Sequence, residues 1–95
     1  MTVVLQGEFD VTSEDALSAS LERIQQRGPS RLIFEMAAVG YLDCASARLI
    51  AGTGRWLPDG VKPVINSPSP VARRVLTVSG IGALCEFEGC RESSF

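Results

Sequence analysis

Short apolar segments alternate with segments of helical periodicity along most of the chain. The apolar segments fall at 3–9, 31–36 and 61–65, and the helical patterns at 12–27, 44–56 and 69–80. Strand and helix in regular alternation predict right-handed βαβ units, in which parallel strands share one sheet and helices pack on it. We therefore expect an α/β fold with a mainly parallel (or mixed) sheet of about four strands.

Capping and helix-breaking residues indicate where the first helix begins and ends. Residues 12–15 (Thr-Ser-Glu-Asp) resemble a capping box, in which side chains satisfy free N–H groups. Leu17, Leu21 and Ile24 then recur on one helical face. The Gly-Pro pair at 28–29 is expected to end the helix near residue 27.

The middle of the chain predicts a buried strand and a second helix. The segment 31–36 has a continuous apolar centre, which is typical of a strand covered on both faces. Residues 37–42 are predicted to form a connecting turn. Asp43 then stands where an N-cap is expected, before a helix from Cys44 to about Trp56.

Individual residues indicate the place of the strand at 61–65 in the sheet and the start of the helix after it. Pro63 indicates an edge strand or a poorly paired position, because proline lacks the N–H that a ladder needs. Ser69 is a plausible N-cap, and Pro70 suits the first helical turn.

The third helix has a candidate core face, formed by Val71, Val75 and Val78. Arg73 and Arg74 are expected on its solvent side. Residues 81–88 are predicted to close the domain with a turn and a short edge segment, and a frayed tail is expected from about residue 89.

Size and charge exclude several classes of function. Ninety-five residues allow one domain, 1–95, with one core. Nine Lys and Arg against eleven Asp and Glu give a net charge of −2, which disfavours nucleic acid and anionic membranes as partners. The chain contains no histidine, the commonest general base and zinc ligand. We therefore predict a protein that is not an enzyme and holds no metal or cofactor.

Targeting signals and cysteine usage indicate a compartment. The first residues lack the basic flank and apolar run of a signal peptide, and no segment approaches the roughly 18–20 apolar residues of a membrane span. Cys44, Cys85 and Cys90 are an odd number at uneven spacing, which suits a reducing environment. The sequence predicts a cytoplasmic protein.

Residues 41–46 lie where function is expected, because partners of parallel α/β sheets usually meet the loops at the carboxyl ends of strands. These residues, Tyr-Leu-Asp-Cys-Ala-Ser, also belong to a wider pattern: Gly-Glu-Phe-Asp stands at 7–10, and Asn-Ser-Pro-Ser-Pro at 66–70 opens a helical stretch that reaches Gly-Ile at 80–81. In order and spacing the three segments resemble the STAS domain of bacterial anti-sigma factor antagonists, over about 3–88.

The resemblance implies a regulator that acts by binding. In that family the unmodified domain binds an anti-sigma factor, often a serine-protein kinase, and so releases a sigma factor for transcription. Phosphorylation ends the binding. The residues expected to form the partner surface here are Tyr41, Asp43, Cys44, Ala45, Ser46 and Arg48.

One position departs from the family pattern. The family's Asp-Ser-Ser/Thr-Gly loop falls on 43–46, and its third residue, the phosphoacceptor, is Ala45 here. Ser46 keeps a hydroxyl one residue later, but one step along a helix rotates a side chain by about 100°. We therefore predict binding without the usual phosphoswitch, with Ser46 as the remaining phosphorylation candidate.

Other functions and assemblies stay open. Cys44 could serve a thiol-dependent redox sensor, coupled to Cys85 or Cys90, although it also suits a structural thiol. The domain could be a scaffold or small-ligand module, since one fold serves many functions. The family also carries a strand before 3–9, and its absence from the given sequence would expose a sheet edge and favour a homo-oligomer.

Overall fold

The computed structural model describes residues 1–89, so Cys90 and the rest of the predicted tail lie outside the described residues. Within 1–89, strands and helices alternate in this order: β1 Thr2–Phe9, α1 Glu14–Gln26, β2 Ile33–Leu42, α2 Cys44–Ala51, β3 Val64–Asn66, α3 Pro70–Val78 and β4 Glu86–Glu88. Short 3₁₀ segments lie at Val11–Ser13, Gly52–Trp56 and Ile81–Leu84.

The sheet confirms the predicted α/β class. Its strand order is β1-β2-β3-β4, and each neighbouring pair is parallel. When strands follow one another in chain order through right-handed crossovers, the connecting helices lie on the same face. In agreement, α1 contacts α2, and α2 contacts α3. The protein is therefore a two-layer structure with a helical layer on one side of the sheet.

This one-sided arrangement corrects the expected burial of β2. Phe34 and Met36 point into the core and have no solvent exposure. Ile33 and Glu35, which alternate with them, are only partly buried. The prediction of a strand covered on both faces was wrong, because the crossovers put every connecting helix of the described residues on one face.

Residues 37–42 form the second half of β2 and not a connecting turn. They pair with β1, with Ala38 opposite Gln6 and Leu42 opposite Phe9. The pairing is interrupted by register shifts between Val4 and Gln6 and between Gly7 and Glu8. Such irregularities insert extra residues and break the two-residue alternation of side chains, which is why the sequence pattern did not indicate a strand here.

The cap before α1 lies earlier than predicted. Asp10 caps the 3₁₀ segment Val11–Ser13 by accepting a hydrogen bond from the Thr12 amide, at 2.9 Å, and the Ser13 hydroxyl accepts one from the Asp10 amide, also at 2.9 Å. The Thr12 hydroxyl also donates a hydrogen bond to the Asp10 carboxylate, at 2.5 Å. The two hydrogen bonds from Thr12, first that of its hydroxyl and then that of its amide, hold the pKa of the Asp10 carboxyl below its ordinary value. The capping box is thus Asp10 with Ser13. The predicted helix end is confirmed, with Gly28 at a positive φ of 59°.

Strand β3 corrects the interpretation of Pro63. It lies between β2 and β4 and pairs with both, so it is an interior strand. Pro63 comes directly before the strand begins, where its missing N–H is not required. Its carbonyl accepts a hydrogen bond from the Glu86 amide at 2.9 Å, which ties β3 to β4.

The start of α3 is as predicted, but its buried face is not. Ser69 accepts a hydrogen bond from the Ala72 amide at 3.2 Å, and Pro70 is the first helical residue. The fully buried side chains are Ala72 and Leu76, whereas Val78 is 77% exposed. Of the predicted face, Val75 is partly buried and packs against the core, whereas Val71 and Val78 are exposed. Both sets of residues fit helical spacing, and the docking of the helix on the sheet placed Ala72 and Leu76 innermost.

The exposed edge of the sheet bears on the expected homo-oligomer. Strand β1 forms an edge of the sheet in residues 1–89, and its Val4 is 59% exposed. An exposed edge strand of this kind can pair with another chain, so self-association through β1 stays a prediction.

Among the described residues, the helices are too short or too polar to cross a bilayer.

Candidate functional site

The site lies at the carboxyl ends of β1 and β2. Glu8 pairs with Tyr41, and Phe9 with Leu42. The Asp43 amide donates a hydrogen bond to the Phe9 carbonyl at 2.9 Å. The ends of two strands therefore hold the residue that begins α2, as expected for a functional loop in a parallel sheet.

Asp43 is the N-cap of α2, which confirms this prediction. Its backbone is extended, with φ −87° and ψ 168°, and its carboxylate accepts a hydrogen bond from the Ser46 amide at 2.7 Å. Its carbonyl accepts the first helical bond from the Ala47 amide at 3.0 Å. The carboxylate also places negative charge at the positive end of the helix dipole.

Replacing Asp43 with alanine is expected to lower the free energy of unfolding by about 0.5–2 kcal/mol, because the Ser46 amide loses its acceptor. Asp43→Asn should cost only a few tenths of a kcal/mol, since asparagine caps helices about as well. Urea denaturation followed by circular dichroism measures both. If the asparagine variant were as unstable as the alanine variant, the carboxylate charge and not the cap would be the stabilising feature.

Five of the predicted site residues are exposed or partly exposed at the end of β2 and along α2. Tyr41 is 49% exposed, and Cys44 and Arg48 are exposed one helical turn apart, which puts them on the same side of the helix. Asp43 and Ala45 are partly exposed between them. We call these five residues the α2 surface. A partner can reach it without any rearrangement of the fold.

Ser46 does not belong to this surface. Its side chain has no solvent exposure, and it shares the inner side of α2 with Ala47 and Ile50. Its hydroxyl has no hydrogen-bond partner in the described part of the chain. Five of the six predicted site residues therefore lie together at the surface, and the sixth points into the core. A kinase would reach the Ser46 hydroxyl only after this turn had opened.

Removing the Ser46 hydroxyl is expected to stabilise the fold. A buried polar group without a partner costs about 1–3 kcal/mol, so Ser46→Ala should raise the free energy of unfolding by about 1 kcal/mol. Ser69→Ala is the matched control: the Ser69 hydroxyl donates to the Val39 carbonyl at 2.6 Å and caps α3, so its loss should destabilise. Thermal and urea unfolding distinguish the two signs, and a destabilised Ser46→Ala would contradict the assignment.

The structure adds Glu8 to the site. Its exposed carboxylate lies beside Gly40, 3.9 Å from the position that a Cβ would take there. The sequence pattern indicated the segment 7–10 as part of the family resemblance but did not place it beside the α2 surface. The available signal was the parallel pairing itself, because neighbouring parallel strands bring their carboxyl ends to the same edge of the sheet.

The cysteines of the described residues differ in environment. Cys85 is 6% exposed, and burial raises the pKa of its thiol to about 11, although the nearby charge of Lys62 acts in the opposite direction. Cys44 is exposed, and both thiols are free. A buried thiol that stays protonated is a poor nucleophile, so Cys85 is unsuited to couple with Cys44 in a redox cycle.

Alkylation should report this difference directly. At pH 8 a thiol of pKa about 11 has roughly a hundredfold less thiolate than an ordinary cysteine. We therefore expect iodoacetamide to modify the exposed Cys44 much faster than the buried Cys85 in the native protein, and at a similar rate after denaturation. Peptide mass spectrometry of time points measures both rates. Equal native rates would show that Cys85 is accessible and ionised.

Comparison with known proteins places the chain among characterised folds. The family model described as STAS domain matches residues 1–89. The unphosphorylated anti-sigma factor antagonist SpoIIAA superposes with a TM-score of 0.73 at 23% identity, covering 90% of this chain and 76% of that one. An anti-sigma factor antagonist from Mycobacterium paratuberculosis gives 0.83 at 20% identity, covering 94% and 76%. A search of curated protein sequences found no match.

Proposed function

Because this chain belongs to the STAS domain family, we propose that it acts as an anti-sigma factor antagonist. In this role it works in the cytoplasm without catalysing a reaction. It binds an anti-sigma factor of the serine-kinase type and so promotes the release of a sigma factor. The observation that carries the proposal is the exposed α2 surface at the carboxyl ends of β1 and β2.

The composition of the α2 surface supports a protein partner. Tyr41 is a large exposed aromatic side chain on a strand, and Arg48 is an exposed cation on the following helix. Tyrosine and arginine are enriched among the residues that dominate binding energy at protein interfaces. The small side chains of Cys44 and Ala45 between them let a partner backbone approach the first turn closely.

No exposed hydroxyl is present in the loop 43–46, which supports binding that phosphorylation does not switch off. Ala45 stands at the family's phosphoacceptor position and carries no hydroxyl. Ser46 carries one, but it is fully buried. We propose that the domain stays in its binding form in the presence of an active kinase and ATP.

The test uses the serine-kinase anti-sigma factors of the source organism, purified one by one. Isothermal titration should detect binding of the intact chain to at least one of them, and preincubation with ATP should leave the affinity unchanged. Ala45→Ser restores a hydroxyl at the partly exposed family phosphoacceptor position, so this variant should gain phosphate and then lose affinity. An antagonist already known to be phosphorylated serves as control for kinase activity.

Two outcomes would contradict the proposal. Failure of every such kinase to bind the folded chain would remove the assigned role. Phosphate on Ser46 of the unaltered protein, located by peptide mass spectrometry, would show that the turn opens and that a phosphoswitch operates through the displaced hydroxyl.

A further inference from the structure

A concave surface lies at the carboxyl end of α2 and shares Arg48 with the α2 surface. It is a cleft of about 530 Å³ between the end of α2, the loop before β3 and the 3₁₀ segment Ile81–Leu84. Its floor is apolar and is formed by Ala51, Val61, Ile81 and Leu84. The volume falls within the roughly 300–1,000 Å³ that is usual for small-molecule sites. We call it the basic cleft, for the cations described next.

Three cations, Arg48, Arg55 and Lys62, line the cleft, and its lining contains no acidic residue. None of the three forms a salt bridge within residues 1–89. The whole chain has a net charge of −2, so this concentration of positive charge runs against the overall sign. Unpaired cations beside an apolar surface attract an anion that carries an apolar part.

Local contacts hold two of the cations at the cleft. The Lys62 ammonium donates a hydrogen bond to the carbonyl of Ala83 at 3.1 Å, which ties the side chain to the 3₁₀ segment. The Arg55 guanidinium lies against Gly52, where a Cβ would come within 3.1 Å of its Nη2 atom. Glycine at this position therefore gives the guanidinium room to lie close to the helix.

The floor remains open in the described residues. Leu84 is 54% exposed, and Ile81 and Val61 are only partly buried. Glycines 52, 54 and 60 contribute no side chains that would fill the space. A flexible hydrocarbon chain would cover these apolar side chains and remove their surface from water, which is favourable in proportion to the area covered.

We propose that the basic cleft binds an amphiphile with a carboxylate head and a medium-length acyl chain, that is, a free fatty acid. The acyl chain lies on the apolar floor, and the carboxylate binds the cations of the rim. Fatty-acid binding requires no partner protein, although Arg48 both lines the basic cleft and belongs to the α2 surface.

The test is a titration of the ¹⁵N-labelled chain, followed by amide chemical shifts. Decanoate is added below its micelle concentration, with decanol and acetate as matched probes for the tail alone and the head alone. We expect saturable shifts at residues around the basic cleft with decanoate, binding at least tenfold weaker with decanol, and no saturable shifts with acetate. Equal binding of decanol, or shifts that do not saturate, would overturn the proposal.

Substitution of one cation and of one floor residue tests whether these side chains bind the ligand. Lys62→Glu and Leu84→Ser alter exposed side chains, and each should weaken decanoate binding at least tenfold. Arg74→Glu makes the same charge reversal on exposed α3, outside the cleft, and should leave the affinity unchanged. Equal loss in Lys62→Glu and Arg74→Glu, with no loss in Leu84→Ser, would show attraction to net charge alone and overturn the proposal. Tighter binding of an acidic amphipathic peptide at the same amides would make the cleft a peptide groove and reject the fatty-acid assignment.

Discussion

Replacing Ala45 with glutamate is expected to raise the dissociation constant for the anti-sigma factor about a hundredfold while leaving the fold intact. That change corresponds to about 2.7 kcal/mol of binding free energy. Ala45 is partly exposed in the middle of the α2 surface, so a carboxylate there must be desolvated when the partner docks. Titration calorimetry with the purified partner measures the effect.

The same substitution should not unfold the domain. Position 45 is the second residue of α2, and an acidic side chain near a helix N-terminus is stabilising by about 0.3–1 kcal/mol. Lost binding is therefore not a consequence of lost structure. Urea denaturation of Ala45→Glu should show a free energy of unfolding equal to or slightly above that of the unaltered chain.

The matched control lies on the neighbouring helix. Ala16 is exposed in the first turn of α1 and is not part of the α2 surface, so Ala16→Glu adds the same charge near the start of a different helix. It should leave partner affinity within about twofold. Binding that survived Ala45→Glu unchanged, or fell equally in Ala16→Glu, would place the partner elsewhere on the protein.

Truncating Leu76 to alanine is expected to lower the free energy of unfolding by about 2–5 kcal/mol. Leu76 has no solvent exposure and belongs to the core under α3. Removal of its side chain loses transfer free energy and leaves a cavity. Since domains of this size are typically stable by only about 5–15 kcal/mol, urea denaturation should show a large shift of the midpoint.

Two control variants test whether the burial of the side chain, and not the type of substitution, sets the loss of stability. Leu84→Ala makes the same change at a side chain that is 54% exposed, and it should cost less than about 1 kcal/mol. Val78→Ala alters a residue that helical spacing assigns to the core but that is 77% exposed. It should be neutral within about 0.5 kcal/mol. A large loss in Val78→Ala with a small loss in Leu76→Ala would reverse the orientation of α3.

Much of the candidate site could be predicted from the sequence. Asp43 as the cap of α2 and the position of 41–46 at a strand end both depend on residues close together in the chain. The placement of Glu8 beside Tyr41 could not be read in this way, because it depends on the register between two strands separated by α1. The burial of Ser46 depends likewise on which side of α2 faces the sheet.

The sequence by itself determined the order of strands and helices, the α/β class and the helix starts at Asp43 and Ser69. These features follow from hydrophobic periodicity and capping, which act over a few residues. Only the tertiary structure decided that Leu76 and not Val78 is buried, that β3 is interior and that the Ser46 hydroxyl is inaccessible. The physical reason is that one local pattern fits several dockings, and the shared core selects among them.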